Sequence, residues 1–202
     1  MPSVYDLKPA FQSLLRPIVG ALVGAGITPN HLTLAAVVGS IGVGMALLGA
    51  YANPRLVLLL PVWLFLRMAL NAMDGMAARE HGKISRLGGA LNEVGDVVSD
   101  AALYLPLGTL GPAHLWPAVM FTLVAVLSEF CGVLGVVLGG TRRYDGPMGK
   151  SDRAFVIGAL GLVSGIVPST LEWWPVVLWL GAGLGVLTCW NRVARTLRTV
   201  PG

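Results

Sequence analysis

Asn71, Asp74, Arg79, Asn92, Asp96 and Asp100 crowd one stretch of a chain that is otherwise strongly apolar. Asn71 and Asp74 are three residues apart, a spacing that puts both on one face of a helix. Asn92, Asp96 and Asp100 recur every four residues and share a face of a second helix. A tight loop between the two helices brings Asn71, Asp74, Asn92 and Asp96 together. Oxygen donors without a Cys or His partner favour a hard cation such as Mg²⁺, Mn²⁺ or Ca²⁺ over zinc, and His81 reads as a loop residue. Gly75, Ala77 and Ala78 leave the helix surface bare. That bareness suits either a flat ligand or ordinary packing of small residues between membrane helices. Arg79 adds a fork-shaped donor matched to phosphate. Cation, phosphate donor and acid together indicate phosphoryl transfer.

Such groups need a framework, and composition says which kind. Of 202 residues, 55% are hydrophobic and 12% charged; a mean hydropathy of +0.75 is outside the range of a soluble domain. A spanning helix needs ~20 mostly apolar residues, and six such stretches are readable: 31–52, 55–78, 89–109, 115–139, 154–170 and 174–194. The expectation is an all-α membrane protein with six transmembrane helices bundled over 31–198 and an N-terminal interfacial amphipathic helix within 1–20. The whole chain, 1–202, makes one domain. In residues 3–18, Tyr5, Leu7, Phe11, Leu14, Leu15 and Ile18 mix with polar residues at near-helical spacing, as a helix lying in the membrane surface requires. Pro9 limits its regularity, and Asp6, Lys8, Arg16 and Pro17 exclude a secretory signal there. Thr28 and Pro29 suit the N-cap and first position of the first span. Cys131 and Cys189 lie in apolar stretches, as small buried residues and not a disulfide framework.

With six crossings the two ends share a side. Lys8, Arg16, Arg79, Lys83, Arg86, Arg142, Arg143, Lys150, Arg153, Arg192, Arg195 and Arg198 collect there, against Arg55 alone opposite. By the positive-inside rule both termini and the 79–88 and 140–153 loops are cytoplasmic. The net charge of +4 is then an orientation signal and a match to anionic headgroups; nothing suggests a nucleic-acid surface.

The run Asp74-Gly75, Ala78-Arg79, Gly88, Asn92 and Asp96, with gaps of two, eight, three and three residues, resembles the signature DxxDGxxARx8GxxxDxxxD of the CDP-alcohol phosphotransferases. TPNHLT at 28–33 and GKSDR at 149–153 extend the likeness over most of the chain. The resemblance implies a homodimeric enzyme of the bacterial inner (plasma) membrane with a divalent cation, Mg²⁺ or Mn²⁺, in a site open to the cytoplasm. There a CDP-linked donor, usually CDP-diacylglycerol, gives its phosphatidyl group to an alcohol acceptor and releases CMP. By position, Asn71, Asp74, Asn92 and Asp96 would hold metal, and Asp96 would also be the catalytic base. Asp74, Gly75, Ala78, Arg79 and Gly88 would line the nucleotide and pyrophosphate pocket. The resemblance places GKSDR near the mouth of the cavity, where Lys150 and Arg153 would meet the acceptor. Asp152 stands where the family commonly has a second basic residue, and this weakens a sugar-phosphate acceptor.

Asn71 and Asn92 replace two motif acids. An amide oxygen can ligate a hard cation but carries no charge, so the four positions hold half the family's negative charge. This favours one firmly bound ion, or metal binding that depends on the donor's pyrophosphate. Glu93 and Asp100 are neighbouring acids able to act at second hand; Asp100 is about 6 Å deeper than Asp96, from a ~1.5 Å rise per residue. A catalytically silent CDP-lipid-binding or partner protein is the main alternative, and an enzyme that uses a soluble CDP-amino alcohol with diacylglycerol is another. Transport finds no support in the motif. Arg67 and Glu129, inside spans, are expected to face the protein interior because isolated charges in a bilayer are costly. Arg192, Arg195 and Arg198 read as a headgroup anchor, and Trp116, Trp173 and Trp174 as an aromatic belt.

Overall fold

The computed structural model describes residues 4–200, with side chains from residue 10. The side chains of Tyr5, Leu7 and Pro9, invoked for the interfacial helix, and of Asp6 and Lys8 lie outside the described residues, as do residues 1–3 and 201–202. Seven α-helices follow in order: α1 (Val4–Gly24), α2 (Pro29–Leu47), α3 (Leu59–Glu80), α4 (Arg86–Tyr104), α5 (Leu115–Val137), α6 (Lys150–Ile166) and α7 (Trp174–Thr199). Short 3₁₀ turns at Pro54–Leu58, Leu105–Leu110 and Pro168–Trp173 complete the chain, and no strand occurs among the described residues.

The first helix passes through Pro17 and runs to Gly24, beyond the end expected at 20. Its inner face, Phe11, Leu15, Val19 and Leu22, packs on Ala69, Met73 and Met76 of α3, while Leu14 and Ile18 stay exposed. Gly26, with φ +86°, turns the chain, a left-handed conformation that glycine adopts without strain. Thr28 then caps α2 by accepting from the His31 amide at 3.4 Å, His31 Nδ1 accepts in return from the Thr28 amide, and Pro29 opens the helix.

Four stretches, Pro29–Leu47, Pro54–Glu80, Leu115–Val137 and Pro168–Thr199, are long and apolar enough to cross a membrane. The other two expected spans are helical but differ in character: α4 carries Arg86, Glu93, Asp96 and Asp100, and α6 has only 17 residues. Exposed Leu34, Val38 and Met45 on α2, Phe65 on α3, Leu127 and Phe130 on α5 and Leu180 and Trp190 on α7 form an outer surface suited to lipid. The protein is an integral membrane protein.

Helices α2 with α3 and α4, α3 with α6, and α5 with α7 are the main packed pairs. Gly44 lets α2 meet α4 backbone to backbone: a Cβ there would lie 2.0 Å from the Ala102 carbonyl oxygen. The principal core joins Leu47, Leu60, Leu64, Leu103, Tyr104, Phe121, Ile157, Trp174 and Leu178. These come from the C-terminal ends of α2 and α4, the N-terminal ends of α3, α5 and α7 and the middle of α6, so the opposite end of the bundle is left for polar groups. Trp174 corrects an expectation: it is fully buried in this core, donating Nε1–H to Ser164 at 2.8 Å, whereas Trp116 and Trp173 are exposed as a belt requires.

Candidate active site

At the polar end, α3 stops at Glu80 and α4 starts at Arg86. Gly82 (φ +63°) makes the turn, and Ser85 caps α4 by accepting from the Gly88 amide at 3.0 Å. This short link sets the C-terminal turns of α3 beside the first turns of α4, with the N-terminus of α2 against both. Between them opens a cavity of about 490 Å³. Asn71, Asp74, Gly75, Ala78, Arg79, Gly88 and Asn92 all line it, together with Asn30 and Thr33 of α2, Lys83 and Ser85 of the link, and Phe11 and Gln12 of α1. Both motif glycines mark close approaches. A Cβ on Gly75 would press on the Arg79 guanidinium at 3.1 Å, and one on Gly88 would meet Asn30 Oδ1 and Ser85 Oγ at 3.0 Å. The bare surface at Gly75 therefore seats the arginine as well as opening the cavity.

Each acid is tied to an amide on the facing helix. Asp74 Oδ2 accepts from Asn92 Nδ2 at 3.3 Å and from the Thr33 hydroxyl at 2.9 Å. Asp96, one turn further along α4, accepts at Oδ1 from Asn71 Nδ2 at 3.2 Å. The Lys150 ammonium, from the start of α6, also contacts that oxygen. Asp96 Oδ2 accepts no hydrogen bond from the described residues. Among these residues no group of three or more His, Cys, Asp or Glu side chains is arranged to hold a metal ion. Any cation here has to be shared between two carboxylates and neutral oxygens.

Beneath the cavity lies a second polar assembly. Arg67 of α3 donates Nη1–H to Asp100 at 2.5 Å and Nη2–H to the Asp96 carbonyl at 3.1 Å. Arg153 of α6 bridges Asp100 at 2.9 Å and Glu129 of α5 at 2.8 Å, and also donates to Ser128. Arg142 joins Glu129 at 3.0 Å to Glu93 at 2.7 Å. Glu129 and Arg67 both face the interior as expected, but they are linked through Arg153 and Asp100 and not to each other. Burial alone would lower the Arg142 pKa; the Glu93 hydrogen bond and charge reverse this and hold it above the ordinary arginine value.

The structure thus brings Asn71, Asp74, Asn92, Asp96 and Lys150 together. It sends Glu93 and Asp100 into the ion-pair assembly and encloses Arg153, which is 1% exposed, away from the mouth where an acceptor would meet it. Asp152 is absorbed locally, accepting from the Gly149 amide at 2.9 Å to start α6. Arg192, read above as part of a headgroup anchor, turns inward onto the Ser128 and Asp145 carbonyls. Thr33 and Asn30 carry no role in the sequence reading. Their signal was a three-residue spacing inside TPNHLT that places both on one face of α2.

A helical membrane bundle with an acid- and arginine-lined cleft at one end is the form of a membrane-embedded transferase of phosphate-linked groups. The sequence pattern of the CDP-alcohol phosphatidyltransferases matches residues 26–187, and the chain belongs to that family. Among its relatives, the inner membrane protein YnbA of Escherichia coli K12 is 46% identical over 193 residues, covering 96% of this chain and 94% of that one. The phosphatidylinositol phosphate synthase of Mycobacterium marinum is 28% identical, covering 96% and 84%. The fold is that of the Mycobacterium tuberculosis phosphatidylinositol phosphate synthase, solved with CDP-DAG bound. That structure has a TM-score of 0.76 at 22% identity, with 92% of this chain and 94% of that one covered. The same synthase, solved with manganese and citrate, also has a TM-score of 0.76.

Proposed function

We propose that this protein transfers the phosphatidyl group of CDP-diacylglycerol to the hydroxyl of an alcohol and releases CMP, as a step of phospholipid biosynthesis. The observation that carries this reading is one cavity in which Asp74, Gly75, Ala78, Arg79, Gly88 and Asn92 converge, with Asp96 joined to its wall through Asn71. The fold shared with a synthase solved with CDP-DAG bound supports the choice of donor. In this reading α2 to α7 make six crossings of a bacterial inner membrane, with the charges of α4 enclosed by α3, α5 and α6. The first helix lies in the interface, two copies form a homodimer, and both termini and the cleft face the cytoplasm, where the basic residues collect.

The acceptor oxygen forms a bond to the phosphatidyl phosphorus as the P–O bond to CMP breaks. The hydroxyl proton passes to Asp96 Oδ2, the oxygen that Asn71 and Lys150 leave free. Arg79, seated against Gly75, balances pyrophosphate charge, and Thr33 holds the Asp74 carboxylate in place. The carboxylates of Asp74 and Asp96, with the amide oxygens of Asn71 and Asn92, would make a hard-oxygen donor set suited to Mg²⁺ or Mn²⁺. Such an ion supplies positive charge to the donor pyrophosphate when bound. On the acceptor side Lys150 is the reachable cation. Arg153 acts by holding Asp100 and Glu129.

The test is CMP release by purified protein given CDP-diacylglycerol, Mg²⁺ or Mn²⁺ and a cytosolic extract as acceptor source. Asp96→Asn should reduce release by at least about 10²-fold, the scale of general acid–base catalysis, while circular dichroism and melting stay as in the wild type. Wild-type turnover in that variant removes the role given to Asp96. One observation favours a second reading: both acids are engaged by hydrogen-bond donors, as a silent CDP-lipid-binding protein would tolerate. Binding of CDP-diacylglycerol without CMP release in any acceptor mixture selects that reading. Competition between CDP-diacylglycerol and a CDP-amino alcohol separates the two possible donors.

A further inference from the structure

The two amides leave the cleft with half the carboxylate charge of the motif it otherwise follows, and the geometry around Asp96 suggests what replaces it. Lys150 stands at the first position of α6, next to the Gly149 cap, and its stem crosses from α6 to α4 so that the ammonium rests on Asp96 Oδ1. The same oxygen accepts from Asn71, whereas the motif's acid at that position would repel the Asp96 carboxylate and call for a cation between them. Other nearby bases are committed elsewhere. Arg67 is held by Asp100 at 2.5 Å and reaches Asp96 Oδ1 only at 3.6 Å. Arg153 is closed between Asp100 and Glu129, and Arg142 between Glu93 and Glu129. Lys150 differs from these bases in having a motif acid as its sole ion-pair partner among the described residues and in keeping a partly exposed side chain, at 28%.

We propose that the Lys150 ammonium takes the place of a second metal ion, so that the site binds a single divalent cation beside a fixed positive charge carried by the chain. This deepens the phosphatidyltransferase reading and rests on it. An ammonium and a divalent ion on one carboxylate repel each other over a few ångströms, an interaction of kcal/mol size even at an effective dielectric constant of ~20. Before the donor enters, two carboxylates and two neutral amides leave a large positive surplus against two divalent ions and a lysine. Against one ion and the lysine the surplus is a single charge, small enough for the site to hold that ion firmly. Asn71 is then the residue type that fits: an amide shares Asp96 Oδ1 with an ammonium by donating to it, whereas an acid would compete for the same proton donors.

The experiment counts Mn²⁺ bound to the full chain in lipid nanodiscs containing CDP-diacylglycerol, by equilibrium dialysis with elemental analysis and by the Mn²⁺ paramagnetic resonance spectrum. The expected wild-type result is one Mn²⁺ per chain, with no spectral coupling between ions. Lys150→Met should bind Mn²⁺ at least about tenfold more tightly, since it removes a positive charge next to the ion, and Lys150→Arg should keep the wild-type affinity. Asn71→Asp with Asn92→Asp and Lys150→Met should bind two ions and show the coupled spectrum. Two Mn²⁺ in the wild-type chain, none, or an affinity in Lys150→Met within twofold of wild type overturns the proposal. If a variant fails to fold, the wild-type stoichiometry still decides. CDP-diacylglycerol binding and CMP release are measured on the same samples. Their absence in the wild type counts against the transferase reading, whereas turnover with two bound ions counts against this inference alone.

Discussion

Two polar assemblies lie one above the other at the same end of this bundle, and they are built on opposite terms. In the lower one, Arg67, Asp100, Arg153 and Glu129 are each no more than 4% exposed and are paired on two sides. In the upper one, Asp74 borders a cavity of about 490 Å³ and is held by a neutral amide and a hydroxyl, while Asp96 is held by the Asn71 amide and a single ammonium, that of partly exposed Lys150. The lower assembly has no carboxylate left to offer and so reads as structure: it locks α3, α4, α5 and α6 together at a depth where lone charges are costly. Only the upper one retains the unsatisfied negative charge that a cation and a phosphate donor require. Buried charge in a membrane protein therefore marks function less reliably than incompletely paired charge does.

The largest expected effect comes from the upper assembly. Asp74→Asn should abolish CMP release, by at least about 10²-fold, and leave the melting temperature of the detergent-solubilised protein near that of the wild type. Its Thr33 and Asn92 contacts can be made by an amide of the same shape. The reverse pattern is expected below. Arg153→Met strands Asp100 and Glu129 without a shared partner, and breaking a buried ion pair from one side costs about 3–5 kcal/mol. The variant should melt far lower and lose activity only as the folded fraction falls. A normal melting profile with lost turnover would transfer Arg153 to the working site and erase the contrast. Between these extremes, Thr33→Val removes one hydrogen bond to a charged group, worth about 1.5–3 kcal/mol. Since the bond orients Asp74, part of that loss should appear as a roughly tenfold drop in kcat, with little change in the KM for CDP-diacylglycerol.

The sequence made the upper assembly readable because spacing alone carries it: three- and four-residue intervals on two helices joined by a short link allow little choice of which faces meet. Residues acting through another helix were harder to place. Lys150 and Arg153 read as acceptor contacts near the cavity mouth and Arg192 as a headgroup anchor, since Arg and Lys beside an apolar stretch ordinarily mark the cytoplasmic side. Which of them turn inward depends on carboxylates in distant helices, Asp96 on α4 and Glu129 on α5, and no periodicity encodes that pairing. Trp174 failed for the same reason: its neighbour Trp173 is exposed, and only Ser164 across α6 decides that Trp174 goes in. Helix ends were shifted where local chemistry intervened, as when Asp152 capped α6 and drew its start back to Lys150.

The smallest effect tests whether a third charged group, at the rim, belongs to either assembly. Asp145, in the loop between α5 and α6, bonds Arg143 at 2.8 Å and also contacts Arg195 of α7, while its carbonyl accepts from Arg192 at 3.2 Å. Slight burial would raise its pKa. The Arg195 hydrogen bond and the charges of Arg143 and Arg195 prevail and hold it below the ordinary carboxylate value. A group with a depressed pKa in the folded state stabilises the protein fully above its unfolded pKa, near ~3.9, and that stability is lost as pH falls through the lower folded value. Melting temperature should therefore decline more steeply below about pH 4 in the wild type than in Asp145→Asn, with the two curves running parallel at neutral pH. CMP release at neutral pH should be equal in both. The pairing of Asp145 with three arginines would then be a tether of the loop to α7, of the same kind as the lower assembly but exposed enough to matter little. A loss of turnover in Asp145→Asn at unchanged stability would instead extend the working site across the loop to α7.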